Sequence, residues 1–125
     1  MCVEYHDDAR DTVIDVINLA DSLIGAKLFA EARSLARSNI PLARRKLGGQ
    51  HDLTLALQTN YACAIYYDTN SSQADVHEAV TVLEDVVRTS RRVFGLQHPF
   101  FVGYREDLER ARMRLADDES RAADA

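Results

Sequence analysis

Histidine and cysteine have the broadest chemical reach in this chain, and their spacing decides what they could do. Four histidines occur, His6, His51, His77 and His98, with two cysteines, Cys2 and Cys63. An imidazole beside two carboxylates, as in His6-Asp7-Asp8, is a ligand set for a divalent cation. A fraying acidic terminus accounts for the same three residues. His51 and His98 would be metal ligands or general bases, but no Cys or carboxylate stands beside them at zinc-ligand spacing. Cys63 lies in the apolar run NYACAIYY with no His or basic neighbour in sequence, which reads as a buried, inert thiol. Neither a Gly-rich phosphate loop nor a Gly-x-Ser-x-Gly elbow is present. The chain therefore reads as a non-enzyme with no catalytic residue, no metal ligand and no cofactor.

The elements that position these residues come from an internal repeat. Arg44 to Leu55 (RRKLGGQHDLTL) aligns with Arg91 to Val102 (RRVFGLQHPFFV), an offset of 47 residues. The Arg-Arg pair, Gly48 with Gly95, and Gln-His at 50–51 and 97–98 coincide. This makes His51 and His98 equivalent junction residues, which explains both without invoking chemistry. Upstream, Asn18-Leu19-Ala20 aligns with Asn60-Tyr61-Ala62 at an offset of 42, and Glu31-Ala32 with Glu78-Ala79 at 47. A five-residue insertion thus falls between Ala62 and Glu78, where the polar DTNSSQADVHE predicts a longer loop.

Five helices follow. Apolar residues at Val13, Ile14, Val16, Ile17, Ala20 and Ile24 form a helical stripe that stops at Gly25. A second helix runs from Phe29 to Lys46, with a kink or local break expected at Pro41. The third starts at Asp52 or Leu53, with Asp52 as N-cap, and reaches about Tyr67. The fourth covers Asp75 to Phe94. The fifth opens at His98-Pro99, where proline's missing N–H costs nothing, and runs to about Ala116. The expected organisation is a partly disordered extension over 1–10, a helical domain over 11–117 and a disordered tail over 118–125.

Composition narrows the function class. The chain has 125 residues, which fits one domain, and a formal net charge of −5, which argues against phosphate-dominated nucleic-acid binding. Arg33, Arg37, Arg44, Arg45, Arg88, Arg91 and Arg92 are spread so that they read as solvated helix faces. No apolar stretch approaches the roughly 20 residues that span a bilayer, so no membrane insertion is expected. Two cysteines make no disulfide framework and suit a reducing compartment; cytoplasmic residence is the default.

The stretch NLADSLIGAKLFAEARSLARSNIPLARRKLGGQHDLTLALQTNYACA resembles the long, kinesin-light-chain type of tetratricopeptide repeat. That family has an Asn-Leu-Ala-like triplet in its first helix. Its second helix carries a Glu-Ala pair and ends in Arg-Arg-x-Leu-Gly-x-x-His-Pro-x-Thr. Here the junction reads Leu-Gly-Gly-Gln-His-Asp-Leu-Thr. The resemblance covers about Asp11 to Leu115 and implies an all-α solenoid: two helical hairpins plus a C-terminal capping helix. In the third unit the triplet becomes Asp107-Leu108-Glu109, and a final helix without a partner tolerates Glu109 facing water.

The same resemblance implies a protein-interaction module, an adaptor or scaffold, with the first helix of each hairpin lining a concave groove. It places Asn18, Asp21, Thr59, Asn60, Cys63, Tyr67, Asp107, Arg110 and Arg114 on or near that groove. Asn18 and Asn60 match the family's Asn, which can bond a peptide backbone or brace neighbouring helices. Arg110 and Arg114, one turn apart, would favour an acidic peptide. The surplus of aromatics at Tyr61, Tyr66, Tyr67, Phe100, Phe101 and Tyr104 suits an interface, including self-association or a larger assembly. The alternative function is a structural subunit held permanently in such an assembly.

Overall fold

Each apolar stripe read from the sequence is a helix in the computed structural model, which describes residues 8–124. In chain order these are α1 (Asp8–Gly25), α2 (Phe29–Leu47), α3 (Asp52–Tyr66), α4 (Gln73–Phe94) and α5 (Pro99–Asp124), and no strand occurs among the described residues. Every helix packs on the next, and α1, α3 and α5 also touch one another in a row. The chain therefore forms the hairpins α1–α2 and α3–α4, with α5 lying against α4 and α3, an all-α helical-repeat solenoid.

The core centres on α3, the one helix that touches all four others. Leu55, Leu57, Ala62 and Ile65 are fully buried, and Tyr61 and Tyr66 nearly so, because this helix has no wet face. That explains why NYACAIYY lacks the polar interruptions of a surface helix. Val13 and Val16 of α1, Val76, Ala79 and Leu83 of α4, and Leu108 and Ala111 of α5 close around it. Burying each larger aliphatic contributes roughly 1.5–3 kcal/mol. Ala20 and Ala62, the matched triplet positions, are both wholly inaccessible, so nothing larger than a methyl stands where their helices meet. Glu109 is exposed, since among the described residues α5 has neighbours on one side only.

The junctions repeat in atomic detail. Gly48 and Gly95 take φ of 96° and 89° with ψ of 154° and 170°, a conformation that is essentially glycine's alone. Three residues on, His51 Nδ1 accepts the Leu53 N–H at 3.1 Å and His98 Nδ1 accepts the Phe100 N–H, also at 3.1 Å. His51, not Asp52, is thus the N-cap of α3; Asp52 is its first helical residue, and its carboxylate also accepts from Leu53. An imidazole that accepts through Nδ1 takes the place of the usual Ser or Asp oxygen. Replacing His98 by Ala should therefore cost about 1 kcal/mol, the ordinary worth of an N-cap. Urea unfolding of the variant measures this, and an unchanged midpoint would show that water caps α5 equally well.

The structure departs from the sequence reading at several points, each for a local reason. α1 ends at Gly25 as expected, but the left-handed residue of the following turn is Lys27, at φ 63°. Leu28 N–H reaches Leu23 C=O and Lys27 N–H reaches Ile24 C=O, so the end of α1 is closed by the backbone without a glycine at the turn. α2 runs unbroken through Pro41. Both Pro41 and Arg37, whose carbonyl loses its donor, are exposed, so the break in the ladder falls on the solvent side of the helix. α4 begins at Gln73, capped by the Ser72 hydroxyl, so part of the insertion becomes an added first turn. α5 stays helical through 118–124, where Ala, Glu and Arg are strong helix formers. At the other end α1 starts at Asp8, with Asp8 and Asp11 at its electropositive terminus. Cys2, His6 and Asp7 lie outside the described residues.

Candidate interaction surfaces

The row α1–α3–α5 presents one polar strip. Asn18 and Asp21 are exposed on α1, Tyr67 is exposed just beyond the end of α3, and Arg110 is exposed on α5. Between them lies a knot of hydrogen bonds. The Tyr66 hydroxyl donates to Asp107 Oδ1 at 2.8 Å, Arg110 donates to the same oxygen at 3.2 Å, and the Cys63 thiol sits 3.9 Å from it. Burial pushes the Cys63 thiol up to about 12, and the charges of Asp107 and Asp21 add to the effect. A thiol held this firmly protonated is no nucleophile near neutrality. Burial likewise raises the Tyr66 phenol, so it stays a donor to Asp107. Asp21 is raised by partial desolvation.

Three residues expected to line the groove are turned inward. The Thr59 hydroxyl donates to Leu55 C=O at 2.9 Å inside α3. Asn60 is 9% exposed, and its amide donates to Ile17 C=O at 3.4 Å, bracing α1 against α3. Arg114 is committed to the loop after α3. It donates to the carbonyls of Tyr66, Asp68 and Ser71 at 2.8, 2.9 and 3.2 Å, and its Nε is held by Asp118. The expected bias towards acidic peptides loses its basis. Arg114 is withdrawn and Arg110 is bridged to Asp107, so the strip carries Asp21 and Asp107 against one arginine.

Sequence reasoning missed Tyr66 as a positioning residue, counting it among surplus aromatics. Of those, Tyr61, Tyr66 and Phe101 are core, while Tyr67 and Phe100 are exposed. Phe100 stacks in a surface cluster with Phe94, His98 and Tyr104.

On the opposite side, α2 and α4 are tied by side chains. Arg33 forms a forked pair with Asp75, both bonds 3.2 Å, and Tyr61 of α3 donates to Glu78 at 2.9 Å. The hydrogen bonds from Arg33 hold the Asp75 carboxyl below its ordinary value of 3.8. A folded-state pKa below the unfolded one stabilises above the unfolded value and is lost as pH falls through the folded value. The difference in thermal midpoint between the parent and Asp75→Asn should thus hold steady from about pH 7 to pH 5 and close in stronger acid. A gap that persists unchanged in acid would mean the pairing contributes nothing.

Among the described residues no three His, Cys, Asp or Glu side chains converge as a metal site, and no helix is long and apolar enough to cross a membrane. A family model of the tetratricopeptide repeat matches residues 69–100, which hold most of the α3–α4 loop, all of α4 and the turn into α5. No curated protein and no solved structure matches the chain.

Proposed function

The chain is a tetratricopeptide repeat protein, and from that premise we propose that it is an adaptor or scaffold whose inner row, α1, α3 and α5, binds an extended or helical segment of another protein. The observation that supports this reading is the exposed strip of Asn18, Asp21, Tyr67 and Arg110 along three helices that touch side by side. Tyr67 offers apolar area with a polar tip, as interface tyrosines do. Asp21 and Asp107 favour a segment that is neutral or carries a basic residue, and binding should weaken with salt. Asn60, Thr59 and Arg114 support the strip from behind.

A peptide-display library panned against the purified chain tests this. Selected peptides should lose affinity with Tyr67→Ala and with Asp21→Ala while helicity stays unchanged. Asn60→Ala should lower affinity and stability together, because it loosens α1. Peptides that bind both surface variants as they bind the parent would place the site elsewhere.

A further inference from the structure

The groove between α4 and α5 is the repeat equivalent of a groove that the chain itself fills. In the first unit, α4 lies over the seam of α2 and α3. Its Thr81, Glu84 and Asp85 face Arg44 and Gln58 across a shared surface cavity, and Asp75 and Glu78 anchor it to Arg33 and Tyr61. A step of 47 residues carries Arg44 to Arg91, Gln58 to Arg105, Ile40 to Val87 and Tyr61 to Leu108. These four residues line the open groove between α4 and α5, a cavity of about 590 Å³. Among the described residues, the seam that holds a helix in one unit is bare in the next.

The bare seam has the chemistry of a helix receptor. Its floor is apolar: Phe101 and Leu108 are buried there, and Leu96, which replaces Gly49 of the first unit, stands 56% exposed at its edge. Its walls are basic, with Arg88, Arg91, Arg105 and Arg112 against Glu84 alone. Arg88 and Arg112 already hold Asp85 and Glu84. Arg91 and Arg105 make no ion pair among the described residues, and Arg105 lies over the Phe101 ring, 5.5 Å from its centre. Unpaired arginines beside an apolar trough call for carboxylates carried on an apolar stripe.

We infer that the α4–α5 groove docks an acidic amphipathic helix of another protein, on the side of the solenoid opposite the α1–α3–α5 strip. A second copy of this chain fits less well. The acidic end of α5, residues 116–124, carries only alanine and one serine between its charges, so it offers nothing large to cover Leu96 and Phe101. Nucleic acid fits less well too, because the trough between the arginines is apolar and the chain is net acidic.

The probe is the chain's own precedent. Residues 73–87 (QADVHEAVTVLEDVV) hold four carboxylates and no Lys or Arg, and Val76, Ala79, Val80, Leu83 and Val86 form their apolar stripe. This peptide, kept helical by a staple between positions 73 and 77, is titrated into the intact chain. It should bind, and Arg91→Glu with Arg105→Glu should weaken it by about tenfold or more, the loss of roughly 1.4 kcal/mol. Arg44→Glu, at the matching position of the filled seam, should leave binding unchanged. Leu96→Ser, also at the surface, should weaken it. A version with its acids replaced by Lys should not bind. No binding to the parent, or equal binding to the double variant, overturns the proposal. So does binding lost with Arg44→Glu, which would mean that the peptide displaces α4. A single-stranded oligonucleotide that binds through Arg91 and Arg105 where the peptide does not would assign the groove to nucleic acid instead.

Discussion

Arg114→Ala should lower the thermal midpoint of the chain by about 12 °C, from a loss of about 3 kcal/mol at roughly 4 °C per kcal/mol for a domain of this size. The guanidinium joins three carbonyls that no helix can satisfy. Tyr66 C=O lies at the end of α3, and the carbonyls of Asp68 and Ser71 lie in the loop that follows. Bonds from a charged donor are worth about 1.5–3 kcal/mol each when partly buried. The sum is discounted here because water reaches the loop once the side chain is gone. Arg114 also fixes α5 to that loop, whereas Tyr66 fixes it through Asp107 in its first half, so the loss of Arg114 should free the C-terminal half of α5 first. Arg114→Lys keeps the charge but not the fork, and one ammonium cannot span three carbonyls set around a turn. It should recover little. Amide exchange should quicken over 67–72 and 111–118 in both variants while the α1–α2 hairpin stays protected. A midpoint within about 2 °C of the parent would return Arg114 to the candidate binding surface.

The contrast between Arg110 and Arg114 shows where the sequence stops being legible. Four residues apart on one helix, they share a face, and the sequence justifies no more than that. Which of them meets water depends on the loop after α3, whose path is set by the five-residue insertion and by the Ser72 cap of α4. No periodicity within α5 carries that information. Asn60 is a similar case. Its match to Asn18 was legible, but Asn18 lies on the outermost helix and is exposed, while Asn60 has α1 beside it and is spent on Ile17 C=O. Equivalent positions in a stack take different roles at its edge and at its middle. The junctions were legible because backbone geometry forces them. Only glycine accepts the conformation at 48 and 95, and the histidine three residues later is placed to cap. The basic groove was hidden because Arg88 and Arg91 read as solvent-facing from α4 alone. Its far wall comes from α5, and the phase between two helices is a tertiary fact.

Ala62→Leu should be the most damaging of the three triplet substitutions. Ala62 is wholly inaccessible on a helix with neighbours on every side, so the added carbons have no solvent edge to escape to. Overpacking of this kind costs on the order of 1–3 kcal/mol, and the upper end is expected here. Ala20 is equally inaccessible, yet among the described residues α1 packs only against α2 and α3, so it can tilt outward. Ala20→Leu should therefore cost less than Ala62→Leu, nearer 1 kcal/mol. The third triplet supplies the control. Glu109 holds the aligned position on α5 but faces water, so Glu109→Leu should change stability by no more than about 0.5 kcal/mol. Guanidinium unfolding of the three variants would order them Ala62, Ala20, Glu109. If Ala62→Leu folded as stably as the parent, or Glu109→Leu cost as much as Ala20→Leu, the triplet register that defines the repeat would be wrong.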